Sequence, residues 1–419
     1  MKPFFVLWTG QAVSLLGSQL VQFALIWWLT QETGSATMLA LASLAGLLPR
    51  VVLGPFVGVL VDRWNRRLIM LVADSIIALA TVVLAYLFWV EAIQIWHLFV
   101  ILFVRSLGGA FHHPAMQAST TLMAPESQLT RIQGLNQALQ GGLSIVSAPL
   151  GALLLSILPM QGILAIDVGT AVFAIIPLFF IHVPQPEQAI DESQTKRPSF
   201  WTEMEAGLRY VWGWPAILAL MVMTMMINFV LSPTFSLIPL LVSAHFGGDA
   251  MQLGLLDAVA GSGIVIGGLV LGAWGGFKRR IITSLSGLIG IGLGALLIGF
   301  APANAFLMAV VGAFIVGSAI ALTNGPIMAI FQSRIEPDMQ GRVFTLLGSL
   351  SAAMTPLGLI IAGPAADAFG VQSWFIVGGF VTLLMGIIGL VTPLIINVET
   401  DSPKLAHGLT GVAPTAVVE

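Results

Sequence analysis

The sequence has very little charge and no cysteine. Only 8% of its 419 residues are charged, and 57% are hydrophobic, whereas a soluble domain typically has about a quarter charged residues on which to build its surface. This composition excludes an ordinary soluble protein and predicts a chain whose outer surface faces lipid. The absence of cysteine excludes disulfides and cysteine-ligated metal or redox centres. A net charge of −3 gives no basic surface that would bind nucleic acid.

Signatures of several other functional classes are missing. No nucleotide-binding loop of the type Gly-x-x-x-x-Gly-Lys-Ser/Thr is present, which argues against direct use of ATP, and no nucleophile–base set suggests an enzyme. His112 and His113 are neighbours that point in different directions on a helix, so neither a metal site nor a cofactor is predicted. The opening Met1–Phe4 runs into an apolar segment without a small-residue cleavage site, and we expect a retained first helix.

What the sequence does contain is a series of apolar runs of about 20 residues or more, the length that crosses a bilayer as a helix. They predict an all-α, polytopic membrane protein with twelve transmembrane helices in two six-helix bundles. The predicted spans cover residues 5–29, 37–61, 68–90, 97–122, 133–158, 162–183, 215–242, 252–276, 281–301, 305–332, 344–366 and 374–397.

The longest polar stretch before the C-terminal tail separates the spans into two sets of six. We therefore predict an N-terminal bundle at 1–183, a cytoplasmic linker at 184–213 and a C-terminal bundle at 214–398. The linker ends in a possible amphipathic helix from Ser199 to Trp212. The tail at 399–419 has Pro, Gly and Thr without periodicity and is expected to be disordered and cytoplasmic.

The basic residues predict the orientation in the membrane. Loops after odd-numbered spans contain no Lys or Arg, and positive charge marks the cytoplasmic side, so both termini are predicted to be cytoplasmic. Loops after even-numbered spans hold Arg63, Arg66, Arg67, Arg131, Lys196, Arg197, Arg209, Lys278, Arg279, Arg280, Arg334 and Arg342.

One of these loops occurs twice, which indicates an internal repeat. The turn at 58–67 reads Gly-Val-Leu-Val-Asp-Arg-Trp-Asn-Arg-Arg, and the corresponding stretch at 272–280 reads Gly-Ala-Trp-Gly-Gly-Phe-Lys-Arg-Arg. Each half has six spans, so the matched helices cross in the same direction, as in a parallel repeat about an axis along the membrane normal. The second copy has Gly275 where the first has Asp62.

Twelve spans, two parallel halves and this Gly-x-x-x-Asp-Arg-x-x-Arg-Arg turn together resemble the major facilitator superfamily. Helix 4 also resembles the family's arginine motif, at Arg105–Gly109, whereas Ala148–Ala152 departs from its Gly-Pro-rich antiporter motif. Stretches such as Trp8–Ser14, Gly54–Arg63 and Gly341–Ser349 resemble the drug:proton antiporter branch, and within it the bacterial macrolide efflux (Mef) proteins. The resemblance implies alternating access and a conformational gate at the two basic turns. The gate residues would be Gly58, Asp62, Arg63, Arg66, Arg67, Lys278, Arg279 and Arg280.

Polar residues at helical spacing mark the expected substrate cavity. Span 1 has Gln11, Ser14, Ser18 and Gln22 on one face, and span 7 has a matching stripe. Hydrogen bonds between helices are the alternative explanation, but the occurrence on equivalent helices favours a shared cavity. The predicted cavity residues are Gln11, Ser18, Gln22, Asn136, Gln140, Thr224, Asn228, Ser232 and Asn324.

Ionisable residues inside spans are costly and are therefore functional candidates. The resemblance implies that Arg105 is a cationic element of the site that couples transport to protons, and we predict that Asp257 and Arg50 also take part in this coupling. Asp257 is predicted to be the proton carrier, because its helix borders the cavity in the resembled fold and a carboxylate withdrawn from water is easily protonated. Asp74, two turns after Arg67, is expected to pair with the basic turn. Asp167 is expected to be structural, on a helix that is peripheral in the resembled fold.

These features predict a secondary exporter of amphipathic, macrolide-like molecules, driven by proton antiport in a bacterial cytoplasmic membrane. Its expected partners are the substrate, protons and the lipid bilayer, and a monomer is the expected state. The alternatives are a lipid, lysolipid or siderophore exporter on the same scaffold, and a membrane sensor that does not transport.

Overall fold

The computed structural model describes residues 2–123, 125–181, 183–185 and 200–400. The side chains of three predicted gate residues, Gly58, Asp62 and Arg63, lie outside this description. So do most of the predicted linker and residues 401–419 of the predicted tail.

The described residues form helices connected by short turns, with no strand among them. The first six long helices are α1 (Lys2–Thr33), α2 (Ala36–Arg63), α3 (Arg66–Trp89), α4 (Ile95–Met123), α5 (Glu126–Ile157) and α6 (Met160–Phe180). A short helix α7 (Phe200–Trp212) follows, where an amphipathic helix is predicted. The rest are α8 (Pro215–Ser236), α9 (Ile238–Leu240), α10 (Ala250–Trp274), α11 (Arg280–Phe300), α12 (Phe306–Arg334), α13 (Pro337–Phe369), α14 (Val371–Val391) and α15 (Pro393–Ile396).

Twelve of these helices are long and apolar enough to cross a membrane, which confirms the predicted number of spans. The seventh span differs from the prediction, because its regular helix ends at Ser236. Pro239 follows and has no N–H with which to continue the hydrogen-bond ladder. The chain completes the crossing through α9 and a π-helical turn, Leu241–His245.

The helix contacts repeat between the two halves of the chain. In the first half α1 packs on α5 and α6, α4 packs on α2 and α3, and α3 packs on α6. In the second half α8 packs on α13 and α14, α12 packs on α10 and α11, and α11 packs on α14. The two lists are identical when α1–α6 are matched to α8 and α10–α14. The predicted pair of pseudo-symmetric six-helix bundles is therefore confirmed.

The bundles meet through two helix pairs, α5 with α10 and α2 with α13, which the same matching exchanges. We call the side that carries α7 and the start of α1 the linker side, and the opposite side the far side. A Cβ added at Gly254 of α10 would lie 3.0 Å from the carbonyl oxygen of Ala148, and one at Gly363 of α13 would lie 2.9 Å from Cα of Thr37. Both glycines lie toward the far-side ends of their helices, so the backbones of the two halves touch there.

Toward the linker side the same helices have open space around their glycines. A Cβ added at Gly54 of α2, Gly134 of α5, Gly272 of α10 or Gly341 of α13 would meet nothing within 4 Å. The two halves therefore separate toward the linker side, and the structure is closed on the far side and open on the linker side.

A carboxylate at the far-side end of α13 joins the halves. Asp367 accepts hydrogen bonds from the hydroxyl of Ser35 at 2.9 Å and from the backbone N–H groups of Ala36 at 2.7 Å and Thr37 at 3.0 Å. These groups form the N-terminus of α2, where unpaired N–H donors and the helix dipole favour an anion. Asp367 is exposed, as a residue at the end of a span is expected to be, but it also caps a helix of the other half.

Replacing Asp367 by alanine should therefore loosen the far side. Loss of a helix-capping side chain typically costs about 1 kcal/mol, so we expect a roughly fivefold larger population of structures open on the far side. Spin labels on cysteines introduced at Glu32 and Met251 would measure it, because the native chain has no cysteine and both sites are exposed on the far side in different halves.

Asp249→Ala is the matched control for this experiment. Asp249 also caps a helix on the far side, but it accepts from Gln252 of its own helix, at 3.0 Å. It should leave the distance between the labels unchanged. An unaltered distance distribution in Asp367→Ala would show that this contact does not hold the halves together.

Candidate transport cavity

A cavity of about 640 Å³ lies within the N-terminal bundle and extends toward the linker side. Its volume is within the range of roughly 300–1,000 Å³ that is typical of small-molecule sites. All six helices of the first half contribute to its wall. Its polar lining residues are Gln11, Ser14, Ser18, Gln19, Gln22, Ser43, Arg50, Asp74, Arg105, Ser106, His112, His113, Gln117, Thr120, Gln133, Asn136, Gln137, Gln140 and Asp167.

The structure places the predicted polar stripe of span 1 on this cavity. Gln11, Ser18 and Gln22 line it from α1, and Asn136 and Gln140 line it from α5. The side chain of Asn136 also accepts a hydrogen bond from the indole N–H of Trp8, at 2.7 Å, which ties α1 to α5 near the linker side. Five predicted cavity residues from the first half therefore lie together.

A buried ion pair crosses the cavity wall nearer the far side. Nη1 of Arg105 on α4 lies 2.7 Å from Oδ2 of Asp167 on α6, and their side chains are only 10% and 3% exposed. Asp167 also accepts from the hydroxyls of Ser18 on α1 and Thr81 on α3, both at 3.1 Å, and Arg105 donates to Thr81 as well. One carboxylate thus connects four helices, and its charge is matched by an arginine.

A second polar layer lies nearer the linker side. Oδ2 of Asp74 on α3 accepts a hydrogen bond from the amide of Gln11 on α1, at 2.9 Å. Nε2 of His112 on α4 lies 3.2 Å from Oδ1 of the same carboxylate, but it is not aligned for a hydrogen bond. Asp74 therefore contacts α1 and α4, and among the described residues it forms no hydrogen bond or ion pair with the basic turn, which the sequence predicts as its partner.

The two layers have a common spacing. Gln11 and Ser18 on α1, Asp74 and Thr81 on α3, and Arg105 and His112 on α4 are each seven positions apart. Seven residues make about two helical turns, or roughly 10.5 Å, and return to nearly the same face. Each of the three helices therefore contributes one residue to each layer.

Arg50 lines the cavity from α2 and is exposed within it. Its guanidinium lies beside α4, where a Cβ added at Gly109 would be 3.0 Å from Nη2. Among the described residues it has no hydrogen-bond or ion-pair partner. The glycine gives the guanidinium room, and the arginine carries an unpaired positive charge into the cavity.

Asp257 is half-buried on α10, outside the cavity of the N-terminal bundle. Successive helix residues are about 100° apart around the helix axis. Viewed along the axis of α10, Asp257 therefore lies between Gly261, which contacts α5, and Gly267, which contacts α12. The exposed Leu255 and Leu269 lie on the opposite face, which is the one suited to lipid. Asp257 is thus directed inward, and the described part of the chain gives it no hydrogen bond or ion pair.

The predicted cavity residues of the second half bond mainly to nearby groups. Thr224 donates to the carbonyl of Leu220 at 3.0 Å, and Asn228 donates to that of Thr224 at 2.9 Å, so both side chains donate to groups within α8. Ser232 accepts from Thr355 of α13 at 3.1 Å.

Asn324 is exposed on α12. None of these four residues of the second half borders the cavity in the N-terminal bundle.

The first basic turn connects helices within its own half. Nη1 of Arg66 donates to the carbonyl of Ala118 on α4, at 3.0 Å. Arg67 donates to the carbonyls of Leu178 at 2.5 Å and Phe179 at 2.6 Å. These are among the last residues of α6, where unpaired carbonyls attract cations. Arg66 and Arg67 therefore attach the start of α3 to α4 and α6.

The second basic turn is attached to the C-terminal end of the described chain. Arg279 donates to Asn397 at 3.3 Å, and Arg280 donates to the carbonyl of Ala329 at 3.5 Å. The carboxylate of Glu399, which the prediction assigns to the tail, accepts from the N–H of Ile281 at 2.7 Å.

The glycine that replaces the aspartate in this turn has a conformational reason. Gly275 ends α10 with φ of +77°, a left-handed conformation that glycine adopts without cost. Lys278, the third basic residue of the turn, is exposed beside it.

Asp74 and Asp167 were given structural roles from sequence, yet both border the cavity. The shared seven-residue spacing on spans 1, 3 and 4, which places a polar pair on each helix at matching depths, could have identified Asp74. It does not involve Asp167, which lies on α6.

Comparison with known proteins identifies relatives over most of the chain. A family model described as the Major Facilitator Superfamily matches residues 7–352 and 220–414. Macrolide efflux protein A of Streptococcus pyogenes is 38% identical over 385 residues, which cover 92% of this chain and 94% of that protein. The multidrug efflux pump Tap of Mycolicibacterium fortuitum is 27% identical over 401 residues, which cover 92% and 94%.

A similar fold occurs in a solved structure of a bacterial homolog of the human lysosomal transporter Spinster, in an inward-facing and unoccupied conformation. It superposes with a TM-score of 0.67 over 96% of this chain and 98% of that one, at 15% sequence identity. At this identity the likeness concerns the fold alone.

Removing one partner of the Arg105–Asp167 pair should destabilise the N-terminal bundle. Asp167→Asn leaves a buried guanidinium without its counter-charge, a change that typically costs about 3–5 kcal/mol. We expect a clearly lower thermal unfolding temperature of the purified protein in detergent. An apolar double replacement, Arg105→Met with Asp167→Leu, should restore much of the loss, because neither charge then remains buried alone.

Glu205→Gln is the control, because Glu205 and Arg209 form an ion pair on α7 whose side chains are 69% and 74% exposed. Exposed pairs contribute about 0–1 kcal/mol, so this variant should unfold like the wild type. If Asp167→Asn did so too, the buried pair would not stabilise the bundle.

Proposed function

The chain belongs to the major facilitator superfamily, and from this premise we propose that it is a secondary exporter of amphipathic, macrolide-like molecules driven by proton antiport. The observation that carries the proposal is the 38% identity to Macrolide efflux protein A, which extends over nearly the whole of both chains. The cavity supports it, since its size suits a small molecule and its wall combines amides, hydroxyls and charges. The substrate would exchange sides as the two bundles rock about their shared interface.

The proposed location is a bacterial cytoplasmic membrane, with the linker side and both termini in the cytoplasm. The distribution of Lys and Arg along the sequence supports this orientation. In this orientation the open side of the structure faces the cytoplasm, from which an exporter takes up its substrate. We propose a monomer as the transporting unit, with the substrate, protons and the surrounding lipid as its partners.

Proton coupling is assigned to Asp257, Arg105 and Arg50. Asp257 is suited to carry the proton, because it is an inward-directed carboxylate without a partner in the described chain. Arg105 holds Asp167 and so keeps the wall of the first bundle intact. Arg50 places a permanent positive charge in the cavity. This charge can interact with a group whose own charge changes when it binds a proton.

The conformational gate is assigned to the two basic turns. In the open arrangement Arg66 and Arg67 donate to backbone carbonyls of their own bundle. In the other bundle Arg280 donates to a backbone carbonyl and Arg279 to the side chain of Asn397. Gly58, Asp62, Arg63 and Lys278 complete the proposed gate. Because each turn is attached to one bundle, it can move as a rigid part of that bundle.

Transport into inside-out vesicles tests the function and the coupling. A radiolabelled macrolide should accumulate only when the vesicle interior is acidified, and a protonophore should abolish this accumulation. Asp257→Asn should reduce gradient-driven accumulation roughly tenfold, within the range of about 5- to 150-fold that coupling free energies of 1–3 kcal/mol give. Its exchange of labelled for unlabelled macrolide without a gradient should persist, since no net proton movement is needed there.

Asp338→Asn is the control, because Asp338 is exposed in the first turn of α13. It should transport like the wild type. Export by the wild type that ignores the gradient would exclude antiport, and normal coupling in Asp257→Asn would remove this residue as the carrier. Transport of a lysolipid or a siderophore, but of no macrolide, would replace the proposed substrate class.

A further inference from the structure

Arg50 is the charged side chain of the cavity wall for which the described residues supply no partner. It lines the cavity and is exposed within it, and no described carboxylate or carbonyl accepts a hydrogen bond from it. It lies at the middle of α2, roughly 20 Å from either end of the helix at 1.5 Å per residue. A guanidinium stays charged at every physiological pH, so Arg50 places a permanent positive charge deep within the bundle.

The two acids of the cavity wall are engaged elsewhere. Asp167 lies 2.7 Å from Arg105 and also accepts from two hydroxyl groups. Asp74 accepts from the amide of Gln11. In the described chain neither acid forms an ion pair with Arg50. The wall therefore does not neutralise this guanidinium, although it contains carboxylates.

The packing of α4 explains why Arg50 and Asp74 do not pair. A Cβ added at Gly108 would lie 2.8 Å from a side-chain carbon of α3, whereas one added at the next residue, Gly109, would lie 3.0 Å from Nη2 of Arg50 on α2. His112, which approaches Asp74 to 3.2 Å, comes one helical turn after Gly108 and so lies on the same side of α4. Asp74 thus contacts the α3 side of α4, and Arg50 contacts its α2 side.

A guanidinium at this depth needs an acceptor from outside the protein. Water can solvate Arg50 while the cavity is open to the linker side. When the two halves close over the cavity, that water is withdrawn, and an unpaired charge becomes costly. The opposite wall, on α5, contributes the amides of Gln133, Gln137 and Gln140, which can donate further hydrogen bonds. The cavity therefore suits a group that has negative charge and several acceptor atoms.

We propose that Arg50 binds an oxyanion, that is, a carboxylate, sulfate or phosphate group that enters the cavity from the linker side. A guanidinium donates two parallel N–H groups to two oxygens of such a group. Gly109 leaves the room that the guanidinium occupies, since a side chain there would displace it. The proposal goes beyond the proposed function, because it adds an anionic ligand. The oxyanion is either an acidic group of an organic molecule or a free inorganic anion.

Equilibrium dialysis of the purified full-length protein in a nonionic detergent tests this site without transport. The probes are radiolabelled sulfate, an inorganic oxyanion, and radiolabelled benzoate, an organic carboxylate. Radiolabelled benzamide is the matched neutral ligand, because it has the shape of benzoate without its charge. All three are measured at the same low ionic strength and at neutral pH, with the thermal unfolding temperature as the check on folding.

We expect the wild type to bind at least one of the two oxyanions saturably and not to bind benzamide. Arg50→Gln should weaken the binding roughly tenfold or more, because hydrogen bonds to a charged group are lost. It should unfold like the wild type, since Arg50 has no partner in the described chain. Should it fail to fold, Arg50→Lys replaces it. This variant keeps the charge but not the paired N–H groups, so it must bind more weakly than the wild type, and an unchanged affinity would overturn the proposal.

Arg131→Gln is the control, because Arg131 is exposed on α5 and does not border the cavity. It should bind the oxyanions like the wild type. Equal losses in Arg50→Gln and Arg131→Gln would indicate a diffuse attraction to surface charge and overturn the site, as would a wild type that binds neither oxyanion.

The two probes also distinguish the sources of the oxyanion. Binding of sulfate alone would support a site for a free inorganic anion, and binding of benzoate alone would support a site for an acidic group of an organic molecule. Binding of both, in competition with each other, would support a site that accepts either source. Failure of this site leaves macrolide export standing, because that export is measured separately in vesicles.

Discussion

The constraint on which this structure depends is the cost of an unpaired charge in a hydrocarbon environment. In the first bundle that cost is avoided by the pair of Arg105 with Asp167, which joins α4 to α6 and recruits hydroxyls from α1 and α3. Four helices are thereby fixed at one depth around a cavity. Because the pair is satisfied internally, Arg50 is the charge of the cavity wall that has no hydrogen-bond or ion-pair partner among the described residues.

The two bundles share a packing scheme but not a chemistry. The equivalent helices α3 and α11 differ in enclosure, with 33% of the membrane-crossing window buried in α3 and 61% in α11. In the second bundle Thr224 and Asn228 donate to carbonyls of their own helix, and Asp257 has no hydrogen bond or ion pair among the described residues. The two halves thus have the same helix arrangement, but the first half contains a polar cavity of the size of a small ligand, whereas the second half is more tightly packed. At the interface between the two halves, small residues such as Gly254 and Gly363 are needed where the backbones touch.

Much of this architecture follows from the sequence, because hydropathy fixes the spans and the repeated basic turn fixes their symmetry. The stripe of Gln11, Ser18 and Gln22 could be predicted because helical periodicity alone puts these residues on one face. The role of Asp167 could not be predicted, since it depends on the orientation of α6, whose Asp167-bearing face is turned toward α4. Spacing on one helix likewise suggested the basic turn as the partner of Asp74, whereas the structure supplies Gln11 and His112 from other helices. Contacts between helices are not encoded in the spacing along any one of them.

The pseudo-symmetry also connects the far-side contact with the predicted gate. Asp367 lies near the end of α13 and caps the start of α2. The matching that superposes the halves exchanges α13 with α2, and near the end of α2 the sequence has Asp62, the acid of the first basic turn. Its symmetry-related target is the start of α13, on the linker side. The sequence thus places one acid near the end of each of these two matched helices, Asp367 on the far side and Asp62 on the linker side, and a pair of this kind suits two states that exclude one another.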